Sequence, residues 1–120
     1  MKKLIALILV SLLSMSTNIF ASVDGKGSEV VENQRFKAGT TSSTMDGGYW
    51  TRGQSGSKVF SQYKHYTKLG RASTTNGEGQ YHDGGWKEVN INSTSNLLTW
   101  TSKGINYANY DNKDAPPEKG

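Results

Sequence analysis

The chain has 120 residues, a formal net charge of +4 and no cysteine, and 33% of its residues are hydrophobic. The lack of cysteine excludes disulfide bridges and thiolate metal sites. The basic residues are dispersed among acidic residues and tyrosines, and Lys2 and Lys3 account for half of the net charge, so the charge does not indicate a nucleic-acid-binding protein.

The first 21 residues have the pattern of a secretion signal. The two lysines at positions 2 and 3 precede an apolar run, Leu4–Leu13, and a more polar stretch that ends at Ala21. The export machinery and its peptidase recognise these features. The alternative is a membrane-spanning helix, but such a helix needs about 20 apolar residues, and this run is about half that length. We therefore predict a signal peptide at 1–21, cleaved between Ala21 and Ser22, and a secreted protein without a transmembrane segment after cleavage.

The segments on either side of the predicted domain have the composition of flexible chain. Residues 22–46 are rich in glycine, serine and threonine and carry few large apolar side chains, too few to fold alone. We predict a flexible linker or pro-segment there. Residues 111–120 contain alternating charges and the pair Pro116-Pro117, which is typical of a disordered tail. The folded domain is therefore expected at 47–110.

Within 47–110, glycine-rich turns separate stretches of β-branched and aromatic residues, which favour strands. In the clearest stretch, 58–69, odd-numbered positions share one face and even-numbered positions the other. Tyr63 and Tyr66 therefore point to opposite faces, and at most one of them belongs to the core. The other strand candidates are 71–75, 85–92, 96–102 and 105–110. Short strands at this spacing, without an apolar repeat of helical period, predict an all-β fold, a small antiparallel β-sandwich.

Aromatic residues supply most of the apolar surface of the predicted domain, because aliphatic residues are few after the signal. Burial in the core is the expected role of Trp50, Trp86 and Trp100, since little else fills the interior. An exported domain of this size without disulfides depends on such burial or on association, of which a homodimer is one form.

The sequence has no pattern typical of an enzyme, cofactor or metal site. It lacks a Ser-His-Asp order, an HExxH motif, a phosphate-binding glycine loop and a calcium loop. His65 and His82 with Asp83 are conceivable metal ligands, but two histidines without a third strong ligand are more often solvated or packed. Paired carboxylates for glycoside cleavage need a fixed separation that a sequence does not give. We predict no enzymatic activity, catalytic residue, cofactor or metal.

Five short motifs follow one another along the domain: G-G-Y-W at 47–50, S-Q-Y-K-H at 61–65, R-A-S at 71–73, G-W at 85–86 and N-Y-A-N-Y at 106–110. Together they resemble motifs of the lactococcin 972 family of bacteriocins, small exported antibacterial proteins. The order and spacing of the motifs carry the resemblance, because each motif alone is short. The chain departs from the family at Gly70, where members often have a second histidine.

The resemblance implies a secreted protein that inhibits the growth of related bacteria. The target proposed for the best-known type is the lipid-linked cell-wall precursor, with septum formation blocked and no pore formed. Aromatic rings stack on sugar faces and suit the membrane interface, and lysines attract pyrophosphate or an anionic envelope. We predict a target-binding set of Lys64, His65, Tyr66 and Lys68. A secreted, non-toxic carbohydrate- or cell-surface-binding module is the alternative, and a matrix protein that assembles through sheet edges is a third.

Overall fold

The structure, a computed structural model, describes residues 25–33 and 39–116. These residues form eight strands: β1 (Lys26–Val30), β2 (Thr40–Met45), β3 (Gly48–Ser55), β4 (Lys58–His65), β5 (Leu69–Thr75), β6 (Tyr81–Asp83), β7 (Ser93–Ser95) and β8 (Tyr107–Lys113). Sheet A has the strand order β1-β8-β5-β6 and sheet B the order β2-β3-β4-β7. All strand pairs in both sheets are antiparallel. The predicted all-β fold is confirmed. The predicted signal peptide and its cleavage site lie outside the described residues.

Two strands correct the predicted domain boundary at the N-terminal side. β1 and β2 belong to the stretch 22–46 that its composition assigned to flexible chain. Both are edge strands, and most of their side chains are exposed. β1 pairs with β8 along its whole length, and β2 pairs with β3. Because such pairing uses backbone N–H and C=O groups, an edge strand needs few large apolar side chains, and composition alone misses it.

The C-terminal boundary and two strand candidates also differ from the prediction. β8 continues to Lys113, into the predicted tail, because Asn112 is buried and its Oδ1 accepts a hydrogen bond from the Gly25 N–H at 3.0 Å. The segments 85–92 and 96–102 are not strands, and each contributes one isolated bridge, Gly70↔Lys87 and Lys58↔Thr99. Left-handed backbone angles at Gly85 and Asn90, with φ of 92° and 69°, interrupt extended geometry in the first segment.

The hairpin that joins β2 to β3 places a carboxylate beside the core. Its two turn residues, Asp46 and Gly47, both have positive φ, 50° and 84°, as a type I′ turn requires. An Asp-Gly pair favours that turn because glycine has no Cβ to clash and aspartate tolerates the left-handed region. The turn therefore fixes the register in which Met45 pairs with Gly48.

Three aromatic rings fill the space between the sheets. Trp50 and Tyr63 belong to sheet B, and Tyr110 of sheet A contacts both, with ring centroids 4.6 Å and 4.8 Å apart. Each ring has a hydrogen-bond partner for its polar atom: Trp50 Nε1 donates to Ser61 Oγ (2.9 Å), Tyr63 OH to the Met45 carbonyl (2.9 Å) and Tyr110 OH to Asp46 Oδ2 (2.5 Å). Large rings with satisfied polar atoms compensate for the shortage of aliphatic residues.

The tryptophans and the two tyrosines of the 58–69 stretch can now be placed. Trp50 is buried, as predicted, and Trp100 is half-buried against the core, where its Nε1 donates to the Val31 carbonyl at 2.7 Å. Tyr63 is fully buried and Tyr66 is 45% exposed. Buried and half-buried residues alternate along β4, so the alternation predicted for 58–69 is confirmed for 58–65, while the chain bends at 66–68 and β5 begins at Leu69.

The two core tyrosines predict a loss of stability in alkali. Burial raises the pKa of Tyr63 to about 12, and burial together with the hydrogen bond to Asp46 raises the pKa of Tyr110. Unfolded tyrosines titrate near pH 10, so the unfolded chain loses these protons first. The contribution of Tyr63 to stability is complete below about pH 10 and is lost as the pH rises through about 12, and the contribution of Tyr110 is also lost as the pH rises. Urea unfolding followed by circular dichroism, with tyrosinate absorbance recorded in parallel, measures this decline.

Two Tyr→Phe variants test this prediction, and the second of them is the control. Tyr63→Phe removes a titrating group from the core and is expected to flatten the decline of the unfolding free energy between about pH 10 and 12. Tyr66→Phe, at an exposed position, is expected to leave the decline unchanged. Equal slopes for the wild type and Tyr63→Phe would contradict the role given to the buried hydroxyl.

Candidate functional site

The residues that carry the bacteriocin resemblance come together mainly in the interior. A Cβ added to Gly48 would lie 2.6 Å from Cζ of Tyr63, so that glycine allows the ring to approach the backbone. Trp50 contacts Ser61 through its Nε1, and Tyr110 stacks on Tyr63. The motifs therefore specify the packing between the sheets, and most of their side chains face away from solvent.

His65, predicted as a target-binding residue, is an internal hydrogen-bonding group. It is 3% exposed, and its Nε2 lies 2.9 Å from the Asp46 carbonyl oxygen. Its Nδ1 accepts hydrogen bonds from the backbone N–H groups of Thr67 (3.1 Å) and Lys68 (2.9 Å). Because a carbonyl oxygen only accepts, Nε2 carries the proton and Nδ1 is the acceptor. His65 thus links the β2–β3 turn to the β4–β5 turn, and it lies on the inward face of β4, apart from the surface where a target-binding set was expected.

Two other members of that set do share an exposed surface. Lys64 Nζ lies 5.5 Å from the centre of the Tyr66 ring, within the range of a cation–π contact. Tyr49 is directly opposite Lys64 in the β3–β4 register and is 41% exposed. We call these three residues the Tyr49–Lys64–Tyr66 surface. Tyr49 was not predicted to belong to it, although its position next to the buried Trp50 indicates that it faces outward.

Lys68, the fourth predicted member, has a partner of its own. Its Nζ lies 3.5 Å from Oδ1 of Asp114, and its side chain is largely buried. The structure therefore brings together Lys64 and Tyr66, while His65 and Lys68 hold the segment that follows β4. Around the Tyr49–Lys64–Tyr66 surface, the outer face of sheet B is polar, as shown by the side-chain bonds Ser42–Thr51 (2.7 Å) and Thr94–Gln62 (3.0 Å).

A second surface feature lies on the outer face of sheet A. It is a groove of about 480 Å³, which we call the sheet A groove, and it crosses four strands. Its lining is polar apart from two tyrosines and a glycine: Lys26, Gly27, Ser28, Arg71, Ser73, Thr75, Tyr81, Asn109, Tyr110 and Asp111. The outer faces of the two sheets of a sandwich point in opposite directions, so the groove and the Tyr49–Lys64–Tyr66 surface lie on opposite sides of the protein.

Trp86 lies on the sheet A side, outside the core. Its ring is contacted by the Arg71 guanidinium at 4.5 Å and by Lys113 Nζ at 4.3 Å, both measured to a ring centroid. The side chain is half-buried. Burial of Trp86 in the core was predicted and is wrong, because the ring lies against Arg71 on the outward side of β5. Two cations cover the ring where aliphatic side chains are scarce.

The two histidines lie in separate parts of the fold. His65 and His82 belong to different sheets, and no group of three or more His, Cys, Asp or Glu side chains in 25–33 and 39–116 is placed to hold a metal ion. His82 Nδ1 lies 2.7 Å from Ser95 Oγ, but Ser95 is fully buried and also bonds Thr74. A substrate therefore has no access to this pair.

Over the residues described, no helix has the length and apolar character to cross a bilayer. No protein-family model, curated protein or solved structure matches the chain.

Proposed function

We propose that this chain is a secreted antibacterial protein, a bacteriocin, that inhibits related bacteria by interfering with the use of cell-wall precursor and with septum formation. One observation carries the proposal: motifs dispersed between Gly47 and Tyr110 converge on one aromatic core. Trp50, Tyr63 and Tyr110 come from three different motifs, and their rings contact one another. The order and spacing of the motifs carry the resemblance, and the contacts among these three rings show that the motif residues build one domain core.

Contacts with a bacterium are expected from exposed residues of the motifs and their neighbours, because the motif residues at the core are buried. The Tyr49–Lys64–Tyr66 surface combines two exposed rings with an ammonium group. Tyrosine rings are suited to the boundary between lipid and water, where one edge is apolar and the other wet. The ammonium of Lys64 adds attraction to phosphate groups within the screening length of the solution. These properties fit an anionic cell envelope.

A growth-inhibition assay tests the proposal. The full chain is expressed, and the protein is purified in the form that the cell produces and is applied to a panel of Gram-positive indicator strains. We expect inhibition of at least one strain related to the producer. A protein shown by circular dichroism to be folded, yet without effect on any strain, would contradict the proposal and favour a non-toxic surface-binding module.

A double variant tests the surface assigned to the contact. Lys64→Gln with Tyr66→Ala is expected to raise the inhibitory concentration about tenfold or more. Truncation of a central contact residue commonly costs more than about 1 kcal/mol, and about 1.4 kcal/mol corresponds to a factor of ten. Both side chains are partly or well exposed, so the fold is expected to be retained. Dose–response curves on a susceptible strain give the comparison.

Lys103→Gln is the matched control, because it removes the same charge from an exposed side chain that pairs with Glu78 at 3.4 Å. Its inhibitory concentration is expected to stay within about twofold of the wild type, since exposed ion pairs contribute little. If the double variant and the control have equal inhibitory concentrations, the contact with the bacterium lies on another surface of the protein.

A further inference from the structure

The floor of the sheet A groove is a row of small polar side chains held in register. Ser28 of β1, Asn109 of β8 and Ser73 of β5 are neighbours across the sheet. Ser28 Oγ donates to Asn109 Oδ1 at 2.7 Å, and Asn109 Nδ2 donates to Ser73 Oγ at 3.2 Å. Ser73 lies on the outward side of β5 but is only 6% exposed, so it forms the bottom of the groove.

These groups keep hydrogen-bonding capacity that the described part of the chain does not use. The hydroxyl hydrogen of Ser73 and the second amide hydrogen of Asn109 have no acceptor among the described residues. The Thr75 hydroxyl, further along the same face of β5, has no partner among them either. A ligand with several hydroxyl groups would find donors and acceptors about one strand spacing apart, roughly 5 Å.

An exposed aromatic ring borders this floor. Tyr81 of β6 is the register partner of Thr75, lines the groove and is 57% exposed. A large ring left in water beside a row of polar groups provides an apolar face next to hydrogen-bonding atoms. Binding sites for small ligands combine these two kinds of surface.

Both cations that line the groove, Lys26 and Arg71, face carboxylates, and this bears on the class of ligand. Arg71 contacts two carboxylates, Asp111 at 3.0 Å and Asp83 at 3.3 Å. Lys26 adds one positive charge and stands opposite Asp111 in the register. An anion in the groove would meet these carboxylates as well as the cations, so the charges do not favour it. A neutral ligand avoids that repulsion.

We infer that the sheet A groove is a binding site for a neutral saccharide. Ser73, Thr75 and Asn109 hydrogen-bond to its hydroxyl groups, and the Tyr81 ring stacks on an apolar sugar face. The site goes beyond the proposed antibacterial function and does not rest on it, because the groove lies on the side opposite the Tyr49–Lys64–Tyr66 surface.

An NMR titration tests the inference. The protein, expressed from the full chain with ¹⁵N and purified, is titrated separately with cellohexaose, maltohexaose and chitohexaose. At least one of them is expected to shift the backbone amides of Ser73, Thr75 and Asn109 in a saturable manner. Tyr81→Ala and Thr75→Val are expected to weaken that binding, about tenfold for Tyr81→Ala, because stacking and hydroxyl contacts are lost.

Leu97→Ala, which truncates an exposed apolar side chain outside both the groove and the Tyr49–Lys64–Tyr66 surface, is the control and is expected to bind as the wild type does. Three outcomes would overturn the inference: no shift of these amides with any of the three hexasaccharides, unchanged binding by Tyr81→Ala, or saturable shifts of the same amides by inorganic pyrophosphate. Spectra of the free variants establish that each is folded before titration.

Discussion

Replacement of Trp50 by alanine is expected to lower the free energy of unfolding by about 3–5 kcal/mol, the usual cost of truncating a buried aromatic side chain. Trp50 is 2% exposed, packs on Tyr110 and donates through its Nε1 to Ser61. The variant loses the apolar burial of the ring and leaves a cavity between the sheets. Small domains are stable by only about 5–15 kcal/mol, so much of this stability would disappear. Urea unfolding followed by circular dichroism measures the loss.

Two further variants separate the parts of this effect. Trp50→Phe retains a ring but leaves Ser61 Oγ without the indole donor, and a loss of roughly 1–3 kcal/mol is expected. Trp86→Ala removes the same side chain from its half-buried place between Arg71 and Lys113. A smaller loss is expected, about 1–2 kcal/mol, because each cation–π contact contributes about 0.5–1 kcal/mol at an exposed site. Equal losses for Trp50→Ala and Trp86→Ala would contradict the assignment of the core.

Introduction of histidine at position 70, where the bacteriocin family often has one, is expected to destabilise the protein by about 3 kcal/mol or more. Gly70 is buried, and a Cβ there would lie 3.2 Å from Tyr63 Cδ2 and 3.3 Å from the His65 backbone nitrogen. The backbone of Gly70 is held by two hydrogen bonds to Lys87, at 3.1 Å and 2.8 Å. Overpacking costs about 1–3 kcal/mol, and a buried imidazole without a partner adds a similar amount.

Thr67→His, at an exposed turn position, is the control for the added imidazole and is expected to change stability by less than about 0.5 kcal/mol. Gly70→Ala is expected to be intermediate, because only the Cβ must be accommodated. A Gly70→His variant as stable as the wild type and more potent in growth inhibition would contradict this account. It would mean that the interior has room for the ring and that its absence limits activity.

The alternation of residue types predicted the β4 strand and its faces correctly, because the period of two is a local property of the backbone. The same alternation places His65 on the buried face of β4 and Lys64 on the opposite face. His65 shares a face with Tyr63, so a buried Tyr63 implies a buried His65, whereas Lys64 and Tyr66 were grouped with it by proximity in sequence. Spacing along the chain places two residues near each other, but the face of the strand decides whether they act together.

The edge strands β1 and β2 and the sheet A groove were not predictable from the local alternation of residue types. β1 and β2 are stabilised mainly by pairing with β8 and β3, and their serine- and threonine-rich sequences resemble those of flexible linkers. The sheet A groove depends on Ser28, Ser73 and Asn109, which meet only because β1, β5 and β8 are adjacent. Such long-range register is set by the whole sandwich and is not encoded in any single segment.

The most direct test of the proposed mechanism is to observe a susceptible strain during its first divisions after addition of the purified protein. Septa are followed by fluorescence microscopy, and the membrane potential is recorded with a potential-sensitive dye in the same culture. Interference with cell-wall precursor predicts that septation fails while the membrane potential stays intact. Early depolarisation before any defect in septation would contradict that mechanism and indicate that the protein damages the membrane instead.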